Sequence, residues 1–405
     1  SLSFIKSLYF EGYEYIHLVR LIKSVMFFRF FLMLIIIYFL SELGILNLKY
    51  FFISAAFASF IVSLDIIYQY IFGFDIIGFK SLGSYNSGFF GDELIAGGFI
   101  KNFSFFSIFL VAFALKNKNN LRFLLTTLVV CVLGVGILFS GNRMSLILFI
   151  MGLFLFFLFS KNLKKMLLVN FLVLSIILGF LGSSDSKIKE KYMSYFDNIK
   201  GIFSSTITAK VEFEVSDPSG ARTWQGFKGP PLWDKGKPLK DDFEFLWVRQ
   251  NEMDSHKKLF FTALDIWGKN KIFGNGIKSF RQDCQKLLMH KENRLCSNHP
   301  HNYYLEILTE TGIAGLFIAS VIGLLFFIFV FKNFRSLGEN NIGNLILLIS
   351  VVSIILELFP FKSTGSIFST NNTTYLILIA SILLSYNKLL SIRNSISTTN
   401  KNEKN

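Results

Sequence analysis

Residues 121–160 read LRFLLTTLVVCVLGVGILFSGNRMSLILFIMGLFLFFLFS, and Arg143 is the single charged residue between Arg122 and Lys161. A bilayer core about 30 Å thick is crossed by about 20 apolar residues in helical form. Each half of the stretch has this composition and comes close to this length, and Gly141 and Asn142 separate the halves. We therefore predict two membrane helices joined by a short turn that carries Arg143.

The composition of the whole chain excludes most soluble classes of protein. Of its 405 residues, 52% are hydrophobic and 17% are charged, whereas a soluble domain has about 25% charged residues. The same apolar content excludes a disordered chain. The net charge of +14 suits a membrane protein, because basic loops set its orientation and contact anionic lipids. We expect membrane lipids, and no nucleic acid, as partners.

Further apolar stretches extend the pattern to an all-α polytopic membrane protein with about nine transmembrane helices. We chose stretches long and apolar enough to cross the bilayer. They cover residues 25–43, 50–72, 99–116, 121–140, 143–160, 165–183, 303–331, 341–360 and 372–388.

Basic residues in the short loops set the predicted orientation. Lys and Arg favour the cytoplasmic side, and they cluster in alternate loops, at Lys116, Lys118, Arg122, Lys161, Lys164, Lys165, Lys332, Arg335, Lys388 and Arg393. The intervening loops then face the periplasm. Nine spans place the two termini on opposite sides, so we expect an odd number of upstream helices to be missing from an N-terminally truncated fragment, unless residues 1–20 hold an imperfect span.

The chain divides into four predicted parts. An N-terminal transmembrane bundle of about six helices covers residues 1–183, a large periplasmic loop covers 184–302, three transmembrane helices cover 303–390, and a disordered cytoplasmic tail covers 391–405. The large loop holds all four Trp, five of the six Pro and four of the five His. This composition indicates a folded cap. Its middle, residues 218–242, is predicted to be loop-like, and its second half helical.

The sharpest local motif lies where the large loop meets the seventh span. Pro300 disfavours a helix before it and Asn302 is a good N-cap, so His301 is expected at the outer mouth of a helix. A histidine there titrates near neutrality and is able to accept a proton from a hydroxyl nucleophile. The alternative is an interfacial histidine that caps the helix or contacts headgroups. His299 is the weaker candidate.

Two carboxylates, Glu306 and Glu310, follow on one face of the same helix. Carboxylates inside a membrane helix are costly, and they usually face a cavity or a cation. We take both as candidate catalytic residues that orient His301 or pair with an arginine. The alternative is that both lie at interface depth and stay hydrated.

Basic side chains on the outer side form the second group of candidates. Arg143 violates the positive-inside bias, and Arg29 lies about four residues inside the first span. A guanidinium keeps its proton and binds phosphate oxygens in a bidentate manner. Lys278 and Arg281 extend the group. The alternatives are that Arg29 snorkels, Arg143 anchors a turn, and the other two lie on a solvated helix.

Metal and disulfide chemistry have weaker signals. The dipeptide Asp92-Glu93 in an outer loop is poor evidence for a cation site, and we expect neither a metal nor a cofactor. Cys284 and Cys296 are expected to face the oxidising side, and the sequence is compatible with either a disulfide or two reduced thiols. Cys131 is predicted to lie in the membrane.

The string His301-Asn302, nine residues, Gly312-x-x-Gly315 resembles the signature of bacterial O-antigen ligases. Its extended form, with Leu305, Glu306 and Glu310, is similar to the core of the wider O-antigen ligase and polymerase superfamily. The turn Ser140 to Arg143 is similar to the Ser/Gly-Arg turn of these proteins.

The resemblance implies a metal-independent, inverting glycosyltransferase of the bacterial inner membrane, with its active site facing the periplasm. Its donor is a glycan linked to undecaprenyl diphosphate, and its acceptor is the lipid A core or a second lipid-linked glycan. His301 matches the periplasmic histidine of the family and Arg143 its periplasmic arginine. Arg29 and Arg281 match less securely. In this scheme the arginines grip the diphosphate and His301 activates the acceptor.

Three functions are candidates for this protein: a ligase, a polymerase and a transporter. A ligase moves the finished polysaccharide onto lipid A core, whereas a polymerase moves the growing chain onto the next lipid-linked repeat unit. A transporter of small anions is a third possibility, which predicts charged residues at mid-membrane on broken helices. The charges cluster at the outer face instead, which favours the two enzymes over the transporter.

Overall fold

The computed structural model describes residues 14–402, apart from residues 47, 84, 116, 161–162, 187, 194–209, 217–221, 229–254, 289–293, 338–341 and 364. Helices dominate the described part. Six long helices precede the predicted large loop: α1 Glu14–Glu42, α2 Leu48–Phe72, α3 Ala96–Ala114, α4 Asn119–Ser140, α5 Arg143–Phe159 and α6 Lys164–Ser184. Three follow it: α9 Tyr303–Leu337, α10 Ile342–Glu357 and α11 Thr370–Asn402.

A long helix lies at each of the nine predicted stretches. Five helical segments of the described residues are long and apolar enough to cross a membrane: Arg20–Glu42, Tyr50–Phe72, Asn119–Ser140, Lys164–Ser184 and Tyr303–Asn333. Arg143–Phe159 and Gly343–Glu357 are shorter apolar helices. These helices confirm the fold class of an all-α polytopic membrane protein.

The bundle core forms where α2 to α6 pack with α10 and α11. Ile66, Ile100, Leu133, Phe149 and Val351 are each at most 1% exposed. Small residues at the helix contacts allow close approach, as in many membrane proteins. The apolar side chains of α1 and α9 are mostly exposed, among them Phe31, Phe317 and Leu325. In a membrane protein, lipid covers such surfaces.

Within the described residues, the large loop contains helices and a hairpin. Strands β1 Lys210–Ser216 and β2 Arg222–Lys228 pair antiparallel, so the predicted loop-like middle is wrong over residues 222–228. Helices α7 Ser255–Trp267 and α8 Phe280–Leu288 confirm that the second half of the loop is helical. Their small core contains Ala263, Ile266 and Phe280, each fully buried.

The structure joins Cys284 and Cys296 in a disulfide with a Cα–Cα distance of 5.4 Å. Cys284 lies in α8, so the bond ties this helix to the segment that leads to His301. Of the two alternatives that the sequence left open, a disulfide and two reduced thiols, the structure therefore has the disulfide.

The end of the chain differs from the prediction. Helix α11 continues to Asn402, through most of the predicted disordered tail at residues 391–405. Extending an existing helix adds one hydrogen bond for each residue fixed, so a polar segment can follow a membrane helix without a new nucleation step.

Two glycines give a test of the helix packing. A Cβ on Gly136 of α4 would lie 2.9 Å from the Cα of Ser63 in α2, whereas one on Gly179 of α6 would meet nothing within 4 Å. We expect Gly136→Ala to lower the free energy of unfolding by about 1–3 kcal/mol. The matched control, Gly179→Ala, is expected to be neutral or stabilising, because alanine favours the helix. Thermal unfolding in detergent measures both, and equal effects would contradict the packing.

Candidate active site

His301 precedes the first turn of α9, as predicted from the sequence. The side-chain Oδ1 of Asn302 accepts hydrogen bonds from the backbone N–H groups of Tyr304 (3.0 Å) and Leu305 (3.2 Å), so Asn302 caps the helix. Its Nδ2 donates to the carbonyl of Pro360 at 2.8 Å. The cap therefore also fixes this helix start to the segment between α10 and α11.

The His301 ring lies among polar groups that the structure brings from separate elements. Its Nε2 is 3.2 Å from the Oγ of Ser297. The ring centroid is 4.3 Å from that of His299 and 6.2 Å from that of His256, at the start of α7. His301 also has a positive φ of 55°, a conformation that is uncommon for a residue other than glycine. His256 was not predicted from the sequence.

Burial sets the protonation of these histidines. It lowers the pKa of His301, and the charge of His256 lowers it further. Burial and the charge of His301 lower the pKa of His299 to about 4. Both rings are therefore neutral at pH 7. A neutral, partly exposed His301 has a lone pair available to accept a proton.

Glu306 holds the segment that precedes α11. Its carboxylate accepts hydrogen bonds from the Oγ of Ser366 and from the backbone N–H of Ile367, the latter at 2.8 Å. The side chain is only 2% exposed. The alternative of a hydrated carboxylate therefore does not apply to Glu306.

Glu310 is equally buried and binds the start of α8. Its Oε2 accepts the backbone N–H of Lys278 at 2.6 Å, and the backbone N–H of Phe280 is a second donor. Among the hydrogen bonds of the described residues, none joins Glu306 or Glu310 to His301. Both carboxylates thus have structural partners, and their catalytic role stays a prediction.

The motif glycine Gly312 marks a break in α9, with φ 69° and ψ −168°. A Cβ at this position would collide with the backbone of residues 272 and 274. The loop after α7 lies across the break and pairs with it through four backbone hydrogen bonds of 2.9–3.1 Å: Asn275 to Thr309, Gly276 to Glu310, Ile313 to Lys271 and Ala314 to Ile272. Glycine is therefore required at this position, because it allows the close approach of two backbones.

The predicted pair Lys278 and Arg281 belongs to a larger basic cluster. Lys23 of α1 lies in the electrostatic field of both. Arg20, one turn earlier, forms an ion pair of 2.7 Å with Asp283 of α8. The structure thus adds two cations of α1 that sequence analysis missed.

Arg29 lies on the exposed side of α1 near the start of α11. Its Nη2 is 3.3 Å from the Oγ1 of Thr370, and its guanidinium carbon is 4.9 Å from the ring centroid of Phe30. These contacts hold the guanidinium near the end of α11 that is next to the candidate site.

Arg143 is the first residue of α5, directly after the predicted turn. The turn consists of Gly141, whose φ of 77° is left-handed, and Asn142. Left-handed backbone favours glycine. The turn therefore fixes the backbone position from which the Arg143 side chain extends.

A second cation, Lys191, lies beside Arg143. Burial lowers the pKa of Lys191 to about 8, and the charge of Arg143 contributes. The Nζ of Lys191 is 3.1 Å from the ring centroid of Tyr85. A pair of neighbouring cations is an arrangement that attracts multiply charged anions. Lys191 is in the large loop, and nothing in the sequence distinguished it from the other lysines there.

Beneath the His301 turn is a buried ionic network that sequence analysis also missed. Glu357, at the end of α10, accepts hydrogen bonds from Lys101 (2.8 Å), from Tyr303 (2.6 Å) and from Lys362. The signal was available, because Lys101 and Glu357 are charged residues inside predicted spans, and such residues are usually functional.

The structure gives no support to the weak metal signal. Asp92 and Glu93 are exposed in the loop before α3. In the part of the chain that the structure describes, no group of three or more His, Cys, Asp or Glu side chains is arranged to hold a metal ion.

The lowered pKa of His301 is directly testable. Diethyl pyrocarbonate modifies neutral imidazole, so its rate on a histidine follows the deprotonated fraction. We expect the midpoint for His301 in the folded protein to lie below the value of about 6.5 for an unfolded chain, because folding favours the neutral ring. Mass spectrometry of the modified peptide, with denatured protein as control, measures both midpoints. A folded midpoint at or above that of the denatured protein would refute the electrostatic environment.

Comparison with known families places this geometry in context. Residues 127–320 match the family model described as O-antigen ligase. The matched region contains Arg143, the basic residues of α8, and His301 with both carboxylates that follow it. Arg29 lies outside the region. A comparison with curated proteins gives no match.

The family match supports a ligase- or polymerase-type glycosyltransferase activity with lipid-linked glycans as the general class of substrate. The apolar helices agree with a multi-pass membrane protein. The match at residues 127–320 to the family model described as O-antigen ligase supports the assignment of this chain to the O-antigen ligase-like superfamily.

Proposed function

We propose that this protein transfers a glycan from undecaprenyl diphosphate to a hydroxyl of the lipid A core, on the periplasmic face of the bacterial inner membrane. The observation that carries the proposal is a neutral, partly exposed His301 at the mouth of a membrane helix, within the region that matches the O-antigen ligase family. A neutral imidazole at the outer face is the group that such a transfer needs.

The proposed reaction is one displacement at the anomeric carbon. His301 accepts the proton of the acceptor hydroxyl as the oxygen attacks the carbon, on the face opposite the diphosphate. The bond between this carbon and the diphosphate oxygen breaks, and undecaprenyl diphosphate leaves with the bonding electrons. The configuration inverts, and no covalent enzyme intermediate forms.

Negative charge develops on the leaving diphosphate, and fixed cations stabilise it. We assign this role to Arg143, because a guanidinium binds phosphate oxygens in a bidentate manner. Its neighbour Lys191 is the second cation of the pair. Arg29, Lys278 and Arg281 are proposed to contact the same donor farther from the reacting carbon. In this scheme these side chains take the place of a metal ion.

The catalytic histidine is tested in the source bacterium. The gene for the full-length protein is deleted and restored as wild type or His301→Ala, and lipopolysaccharide is separated on a gel. We expect deletion to leave bare core on lipid A, wild type to restore the long polymer, and His301→Ala to fail at an equal protein level in the membrane.

The same gel separates the alternatives. A core that carries a single repeat unit after deletion would identify a polymerase, which shares the donor chemistry. An unchanged pattern, or full rescue by His301→Ala, would refute the proposed transferase.

Arg143 and Arg122 provide a matched pair, because they lie at opposite ends of the α4–α5 hairpin. We expect Arg143→Ala to lower the transfer rate about 100-fold or more, as for loss of a donor that stabilises developing charge. Arg122→Ala, at the cytoplasmic end of the proposed topology, is expected to stay near the wild-type rate. Initial rates in membrane vesicles measure both. Equal effects of the two variants would remove Arg143 from the donor site.

A further inference from the structure

The buried network around Glu357 joins four parts of the bundle. Its members are Lys101 of α3, Glu357 at the end of α10, Tyr303 at the start of α9, and Lys362 in the segment before α11. All four are buried, with exposed fractions of 1–8%. The Nζ of Lys362 is also 3.0 Å from the Tyr303 hydroxyl.

Such a network is costly unless every charge is paired. A buried charge loses its hydration, and removing one member of a buried ion pair leaves an uncompensated charge. The two carboxylate oxygens of Glu357 accept hydrogen bonds from three donors, and one lysine contacts each oxygen. The arrangement fixes the relative positions of its members, since each hydrogen bond has a narrow range of good geometry.

One side of the network leads directly to His301. Tyr303 is two residues after the histidine, and two neighbouring side chains bind the segment that holds Lys362. Asn302 Nδ2 donates to the Pro360 carbonyl (2.8 Å), and the Ile367 N–H donates to Glu306 (2.8 Å). The backbone that carries His301 is thereby held against the end of α10.

The other side leads to the Arg143 turn. Lys101 lies one helical turn after Gly97 in α3. A Cβ on Gly97 would lie 2.9 Å from the Nδ2 of Asn142, so α3 packs directly against the turn that precedes Arg143. The first turns of α3 therefore contact the Arg143 turn and the Glu357 network together.

We propose that Glu357, Tyr303, Lys101 and Lys362 are positioning residues that hold His301 in place relative to Arg143. This inference rests on the proposed function and adds four residues to it. Their burial keeps them from direct contact with a lipid-linked donor, so they act through His301. Displacing a catalytic group by about 1 Å costs a reaction up to about 100-fold.

Two adjacent tyrosines provide a matched test. The hydroxyls of Tyr303 and Tyr304 both donate at 2.6 Å, to Glu357 and to the Leu358 carbonyl respectively. We expect Tyr303→Phe to lower kcat about 10- to 100-fold and to leave KM for the donor unchanged. Tyr304→Phe is expected to retain the wild-type kcat. Equal effects of the two variants would overturn the inference.

A double-mutant cycle distinguishes positioning from stability. In a His301→Ala background, Tyr303→Phe should cause no further loss of rate, because the group that it positions is absent. Losses that multiply in the double variant would mean that Tyr303 acts independently of His301, which contradicts the proposal.

The lysine provides a second variant if Tyr303→Phe fails to fold. Lys101→Met removes the cation, whereas Lys101→Arg keeps it beside Glu357. We expect Lys101→Met to lower kcat as Tyr303→Phe does, and Lys101→Arg to recover most of the rate. No difference between these two variants at equal folded amounts would contradict a role for the ionic link.

A readout without transfer activity separates this inference from the proposed function. The pH midpoint for modification of His301 by diethyl pyrocarbonate should shift in Tyr303→Phe and stay at the wild-type value in Tyr304→Phe. A shift in a protein with no transferase activity would refute the function and retain the structural link. The opposite result would be an active wild-type protein whose Tyr303→Phe variant keeps both the wild-type midpoint and the wild-type kcat. That result would refute the link between Tyr303 and His301 and leave the proposed function in place.

Discussion

The carboxylate of Glu357 is the interaction on which the candidate site depends. It is 1% exposed and binds groups from α3, from α9 and from the segment before α11. In a bilayer, a buried charge is retained only with partners, and the energetic cost of losing one is large. The same requirement that pairs Lys101 and Lys362 with Glu357 therefore fixes three chain segments around one point. Tyr303 brings the His301 turn into this arrangement.

A second constraint is that the backbone polar groups need hydrogen-bond partners where α9 is broken. Unpaired backbone groups are costly in an apolar environment. At Gly312 the loop after α7 supplies backbone partners, and Glu310 accepts backbone N–H groups at the start of α8. The loop between α7 and α8 is thus bound to α9 by main-chain hydrogen bonds. The disulfide between Cys284 and Cys296 adds a covalent restraint close to the histidine.

The candidate site contains two kinds of charged or titratable group. Burial keeps His301 neutral and suited to accept a proton. Arg143 and Lys191 are neighbouring cations near the α4–α5 turn. A general base must be neutral, whereas an anion site needs positive charge. The neutral histidine and the two cations lie on separate elements of the fold.

The sequence predicted the features that depend on local pattern. Hydrophobic length located the nine long helices, and the residues Asn302 and Gly141 indicated a helix start and a turn. The motif also led to His301 and Arg143 as candidate site residues, and their roles stay predictions. The helices, the cap and the turn were predictable because helix length, capping and turn chemistry depend on neighbours in the chain.

Tertiary structure alone decided which distant residues meet. His256 approaches His301 from α7, and Lys101 reaches Glu357 across 256 positions in sequence. The partners of Glu310 were not predicted either, because backbone N–H groups have no sequence signature. A charged residue inside a span signals that a partner exists, but the identity of that partner depends on how the helices pack.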